Sequence, residues 1–141
     1  MLDRLRKKYQ TKGQFNFSLG EELRSVMEQS GVPNDPGIYL IFSEADCNGM
    51  LVYIGKAGTY RNEFGWSEQG LAGRIMSRQD KMPREEYFSR EMRKHGWSEL
   101  SFAWFVTFCD SVKKLPQLVE AKVMQAHFDK YGELPLLNKE Y

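Results

Sequence analysis

Two apolar runs close together in the chain constrain its fold more than any other feature: Gly37-Ile38-Tyr39-Leu40-Ile41-Phe42 and Leu51-Val52-Tyr53-Ile54-Gly55. Both are rich in β-branched and aromatic residues, and neither alternates with polar ones. Each therefore reads as a strand covered on both faces. The polar stretch between them ends in Asn48-Gly49, a pair suited to the positive φ angles of a tight hairpin turn. An antiparallel hairpin follows, and its register matters. Directly paired residues share a face, and side chains alternate along each strand. A plain two-residue turn at Asn48-Gly49 would send Tyr39 and Tyr53 to opposite faces. An odd-length loop, or a bulge that shifts the register by one, would bring them to the same face.

Around the hairpin the signals are mostly helical. Ser18-Leu19-Gly20-Glu21 has the form of a capping box, predicting a helix from Leu19 to Ser30 that stops at Gly31. A short helix is expected from Gly70 to Gln79. Another begins at Pro83 and stops at Gly96, with Phe88, Met92 and His95 on one face. Leu100, Phe102, Trp104, Val106 and Phe108 alternate with other residues and predict a half-buried strand. A last helix is expected over Pro116–Tyr131, with Gly132 as its stop and Leu118, Val119, Val123 and Ala126 turned to the core. The tail Leu134-Pro135-Leu136-Leu137-Asn138 is apolar enough to dock on the body. Three clustered strands are too few for a doubly wound sheet. The expected class is α+β, a small three-stranded antiparallel sheet flanked by helices. Residues 1–35 are expected to form a basic, helical N-terminal extension, and residues 36–141 the main domain.

Composition narrows the function classes. With 41% hydrophobic and 28% charged residues in 141, the chain is neither fibrous nor disordered. Its apolar runs fall far short of the roughly 20 residues of a membrane span. The N-terminus lacks the apolar segment of a secretory signal, and Cys47 and Cys109 offer no disulfide framework, so a cytoplasmic location with reduced thiols is expected. Net charge is only +1, low for a protein that grips phosphates. The cations are unevenly spread, however. Residues 1–12 hold Arg4, Arg6, Lys7, Lys8 and Lys12 against Asp3 alone, a local +4.

Tyr39 and Tyr53 lie fourteen residues apart in the tripeptides Gly37-Ile38-Tyr39 and Tyr53-Ile54-Gly55. Leu71-Ala72-Gly73-Arg74, a helical Glu120 and Asn138 after a proline follow in order. Over residues 36–138 this pattern resembles the GIY-YIG endonuclease family, and the stretch through Lys56-Ala57 looks like the nuclease domain of the bacterial excision-repair incision subunit. The resemblance implies hydrolysis of phosphodiester bonds in DNA with one divalent ion, Mg2+ or Mn2+, held by Glu120. It implies that Arg74 clamps the phosphate and that Tyr39 and Tyr53 orient or activate the water. Lys56 is a further candidate base, and Asn138 completes the set. Guanidinium suits the clamp because it stays charged and matches phosphate geometry.

Two departures stand out. The stretch from Gly58 to Gln69, with Arg61, Phe64 and Trp66, looks inserted. Arg61 thereby competes with Arg74, although Leu71-x-x-Arg74 fits the pattern better. Many members carry a His four residues after the arginine, where this chain has Arg78, a candidate phosphate contact. With no room for a separate recognition domain, specificity would come from a loop, the N-terminal segment, a second copy of the chain or a protein partner. The other reading is a catalytically idle module of the same fold that binds nucleic acid or a protein. Low net charge favours it, and the presence of all the motif residues argues against it.

Overall fold

The computed structural model describes all 141 residues and has an α+β fold. Its main sheet has four antiparallel strands, β1 (Lys12–Ser18), β2 (Gly37–Phe42), β3 (Leu51–Ala57) and β4 (Glu99–Val106), in the order β1-β4-β2-β3. Five helices surround it: α1 (Leu2–Lys8), α2 (Leu23–Gln29), α3 (Leu71–Ile75), α4 (Arg84–His95) and α5 (Pro116–Tyr131). None is long and apolar enough to cross a membrane.

The sheet separates two cores. On one side Tyr39, Ile41, Phe17, Phe102 and Trp104 pack under α2, α3 and α4. On the other, Ile38, Leu40, Ile54, Ala103 and Phe105 meet Leu5 of α1 and Val119, Val123 and Met124 of α5. This double cover corrects the expectation of a half-buried β4. Its seven residues from Leu100 to Val106 are all buried, because β4 lies inside the sheet and helices close both faces.

The three-stranded expectation is likewise corrected. The fourth strand, β1, comes from the segment expected to be a helical extension, and it pairs with β4 from Lys12↔Phe105 to Ser18↔Glu99. Only Phe15 and Phe17 of β1 are buried, so its alternation is two residues long and easily overlooked. Leu5 and Tyr9, just before it, are core residues despite their basic neighbours.

Helix boundaries moved where tertiary partners intervene. The Ser18 N–H does donate to Glu21 Oε1 at 2.7 Å, but this closes a turn, and α2 starts only at Leu23. There the first free N–H donates to Glu85 Oε1 of α4 at 2.6 Å, a cap supplied from outside the helix. The predicted helix to Gln79 ends at Ile75 and passes into a two-residue ribbon, Arg78–Gln79 with Met82–Pro83. By contrast α4 and α5 stop where expected, at Gly96 and Gly132, both in the left-handed region. The core face of α5 is rotated from the expected one. Leu118 and Ala126 are exposed, while Glu120, Met124 and His127 join Val119 and Val123 in burial.

Candidate active site

Hairpin register decides where the tyrosines go. Tyr39 pairs with Gly55 and Ile41 with Tyr53, but Phe42 pairs with Leu51, so Val52 is an extra residue on β3. This bulge shifts the register by one and puts both tyrosines on the α2/α3/α4 side of the sheet. Their ring centroids are 5.9 Å apart, tilted by 31°. The glycines of the two tripeptides have steric reasons. A Cβ at Gly55 would collide with the Tyr39 ring lying across it, and one at Gly37 with the Phe105 carbonyl oxygen of β4.

β3 is the free edge of the sheet, and here groups from both faces converge. Tyr53 lies on one face and Lys56 on the other. Arg74 approaches from α3 and Glu120 from α5. Together with Gly58, Thr59 and the 67–69 segment they line an open cleft of about 550 Å³. The short α3 is held in place from outside. Asn34 Oδ1 accepts the N–H groups of Gly70 and Gly73 at 2.9 and 3.0 Å, and its Nδ2 donates to the Glu68 carbonyl at 2.7 Å.

Glu120 is 8% exposed. Burial pushes its carboxyl above the usual carboxylate range; Lys56, the neighbouring Tyr141 hydroxyl and Arg74 pull it back without cancelling that effect. No three His, Cys, Asp or Glu side chains come together as a ready-made metal cage. A hard divalent ion does not need one: Mg2+ is typically held by one or two carboxylates with water and substrate phosphates. The donor set at Glu120 fits that habit.

Four of the six expected residues, Tyr53, Lys56, Arg74 and Glu120, thus share one cleft. Tyr39 stands a layer behind them, fully buried, and burial pushes its phenol up to about 12 even with Arg84 beside it. It stays protonated at any working pH. Asn138 is turned to a different task. Its Oδ1 accepts the Ile54 N–H at 2.9 Å and its Nδ2 donates to the Ile54 carbonyl at 3.0 Å. With Leu137 N–H donating to the Val52 carbonyl at 2.8 Å, the tail pairs with the open edge of β3 as a short strand would. Asn138→Ala is therefore expected to cost about 1–3 kcal/mol in stability, two backbone groups losing their partner. Urea unfolding checks this; unchanged stability with lost activity would return Asn138 to a chemical role.

Arg61 lies outside the cleft on an exposed ribbon, Tyr60–Arg61 with Gly65–Trp66, beside Phe64. That inserted ribbon is pinned by Trp66, whose ring lies 4.8 Å from Phe108 and 5.4 Å from Tyr60. Arg78 donates to the Lys81 carbonyl within its own turn. His127 packs on Tyr131 at 4.6 Å.

One residue went unnoticed in the sequence. Arg84, the first residue of α4, is 2% exposed, and its Nη1 donates to the Tyr39 hydroxyl at 2.7 Å and its Nη2 to the Tyr53 hydroxyl at 3.3 Å. An arginine opening a helix after Pro83 looks like a surface cation; nothing local says that it points inward. No protein-family model, curated protein or solved structure matches the chain.

Proposed function

We propose that the chain is a GIY-YIG-type endonuclease that hydrolyses DNA phosphodiester bonds with the help of one divalent ion. The observation that carries this reading is the convergence of Tyr53, Lys56, Arg74 and Glu120 on one open cleft at the edge of β3. These groups have complementary uses. Arg74 pairs with the scissile phosphate and offsets the charge that builds on its oxygens. Tyr53 orients the attacking water and takes its proton as the water oxygen bonds to phosphorus. The bond from phosphorus to the leaving sugar oxygen breaks, and a proton from solvent completes that alcohol.

A free phenol is ionised about once in a thousand at pH 7, a deficit of about 4 kcal/mol. Tyr39 is unsuited to be the base because it is sealed from the cleft. When bound at Glu120, Mg2+ or Mn2+ would supply charge neutralisation and a more acidic water.

The decisive experiment is incubation with supercoiled, linear, branched and single-stranded DNA, with magnesium or manganese and with excess chelator. Cleavage that needs the metal supports the reading, and undiminished cleavage in chelator excludes a metal-assisted one. Binding without cleavage on every substrate would mean the idle module instead.

DNA affinity has a second expected contributor. Arg4 and Lys8 of α1 line a groove against α5 with Lys114, Lys122 and Lys130, and no acidic residue lines it. Because Leu5 and Tyr9 are core, deleting the N-terminal segment would test folding, whereas neutralising its charges tests binding. Arg4→Gln with Lys8→Gln should weaken DNA binding and reduce the slope of log K against log salt by about 2. The single-turnover rate at saturating DNA should not change. An unaltered slope would make these cations a solvated face.

A further inference from the structure

The group that stands out in the core is the Arg84 guanidinium. Arginine remains charged at any working pH, and a buried charge is normally paired with a carboxylate. Arg84 has none: the groups acting on it are the phenols of Tyr39 and Tyr53. Its guanidinium carbon lies 5.7, 5.3 and 5.4 Å from the ring centroids of Tyr39, Tyr53 and Phe88, so the cation sits in an aromatic box. Replacing such a buried charge by a well-packed apolar side chain is often neutral or stabilising. Packing alone is therefore a poor reason for an arginine here. Its geometry offers a better one, since two different nitrogens of one planar fork reach two hydroxyls that come from two strands.

We propose that Arg84 is the positioning residue of the tyrosine pair, fixing the Tyr53 hydroxyl at the cleft and placing a positive charge behind the oxygen that takes the proton from water. The inference rests on the reading of Tyr53 as the group that handles the water. Tyr39 serves as the second anchor: its hydroxyl holds the other arm of the fork at 2.7 Å, so the guanidinium cannot swing away from Tyr53. Division of labour follows from burial. Tyr39 is sealed and Tyr53 opens on the cleft, so only the latter can exchange a proton with substrate water. The other charged or titratable groups around the pair are Tyr87 from α4, Arg74 from α3, Lys56 on β3 and Glu120 from α5. Arg74, Lys56 and Glu120 face the cleft and change their surroundings when DNA binds; Arg84 does not.

The test uses the full chain with 13Cζ-labelled tyrosine, free of DNA and with chelator present, and follows the assigned Tyr53 resonance against pH. In Arg84→Gln the midpoint should rise by about one pH unit or more, because a neutral amide replaces the nearest cation. Arg84→Lys should recover part of that shift, with the charge restored but the fork lost. An unchanged midpoint in Arg84→Gln would overturn the proposal. Should that variant fail to fold, Tyr39→Phe supplies a second test. With its anchor gone the guanidinium is free to leave Tyr53, whose midpoint should rise, and no movement there would also overturn the proposal. On DNA, Arg84→Gln should lower the rate at saturating substrate about 10²-fold and alter KM less than about threefold. Combined with Tyr53→Phe it should cost little beyond Tyr53→Phe alone; full additivity would mean that Arg84 does not act through Tyr53. If the wild-type chain cuts no DNA while the resonance shifts as expected, the nuclease reading fails and the positioning role stands.

Discussion

Glu120→Gln should remove metal-dependent cleavage and, at neutral pH, make the chain more stable. Loss of the activity follows from its place as the buried carboxylate of the cleft; deleting a comparable electrostatic group costs about 10²–10³ in rate. The gain in stability follows from its surroundings. Burial holds the Glu120 carboxyl above its ordinary 4.5, so the folded chain binds this proton more tightly than the unfolded chain does. That favourable contribution is fully present below pH 4.5 and is lost as the pH rises through the raised value. Above that raised value the wild type carries an ionised, desolvated carboxylate that glutamine avoids. Urea midpoints should be higher for the variant at pH 7, and the gap should close as the pH falls toward 4.5. A variant no more stable than the wild type at pH 7 would mean that Glu120 is well compensated. Millimolar Mg2+ gives a separate readout. It should raise the melting temperature of the wild type by mass action and leave the glutamine variant unmoved.

Arg74→Ala should slow cleavage by about 10²–10³-fold, and Arg61→Ala by less than about threefold. Both are exposed arginines in the region after β3, and their difference lies in what holds them. Arg74 sits on α3, whose N-terminal amides are fixed by Asn34, and it lines the cleft with Tyr53 and Glu120. Arg61 sits on the ribbon and lines a neighbouring hollow with Phe64. Single-turnover rates at saturating DNA separate the two, since a loss of binding alone would disappear there. A larger loss from Arg61 would move the phosphate to the ribbon and overturn the placement of the clamp. Arg74→Lys should recover little, because an ammonium cannot make the paired contact of a guanidinium.

The hairpin, α4 and α5 were legible in the sequence because their signals are local. Consecutive β-branched and aromatic residues, a proline at the first helical turn and a glycine at the stop act within a few residues, and nothing distant outweighs them here. The motif Tyr39, Tyr53, Arg74 and Glu120 was likewise readable as a pattern. The requirement of a bulge or an odd loop was also readable, as a parity condition. Which of the two occurs was not: the extra residue is Val52, a position with no turn signal of its own. β1 was missed because an edge strand with one buried face needs only Phe15 and Phe17, and two residues make no period. The core face of α5 was misjudged for a related reason. Leu118, expected in the core, is left in solvent because α5 meets a sheet edge, where the face that packs inward also carries the Glu120 carboxylate to the cleft.

The kinds of element and the residue types available for chemistry were readable along the chain, since backbone propensity and side-chain functionality belong to single residues and their near neighbours. Which groups meet was a matter for the packed fold. It brought Tyr53, Lys56, Arg74 and Glu120 to one edge from a strand and two helices, withdrew Tyr39 behind them and set Asn138 against the backbone of β3. It also turned Arg84 inward onto two tyrosines 45 and 31 residues away in the chain. Such meetings depend on how helices close the two faces of the sheet, and that closure is a property of the whole core rather than of any segment.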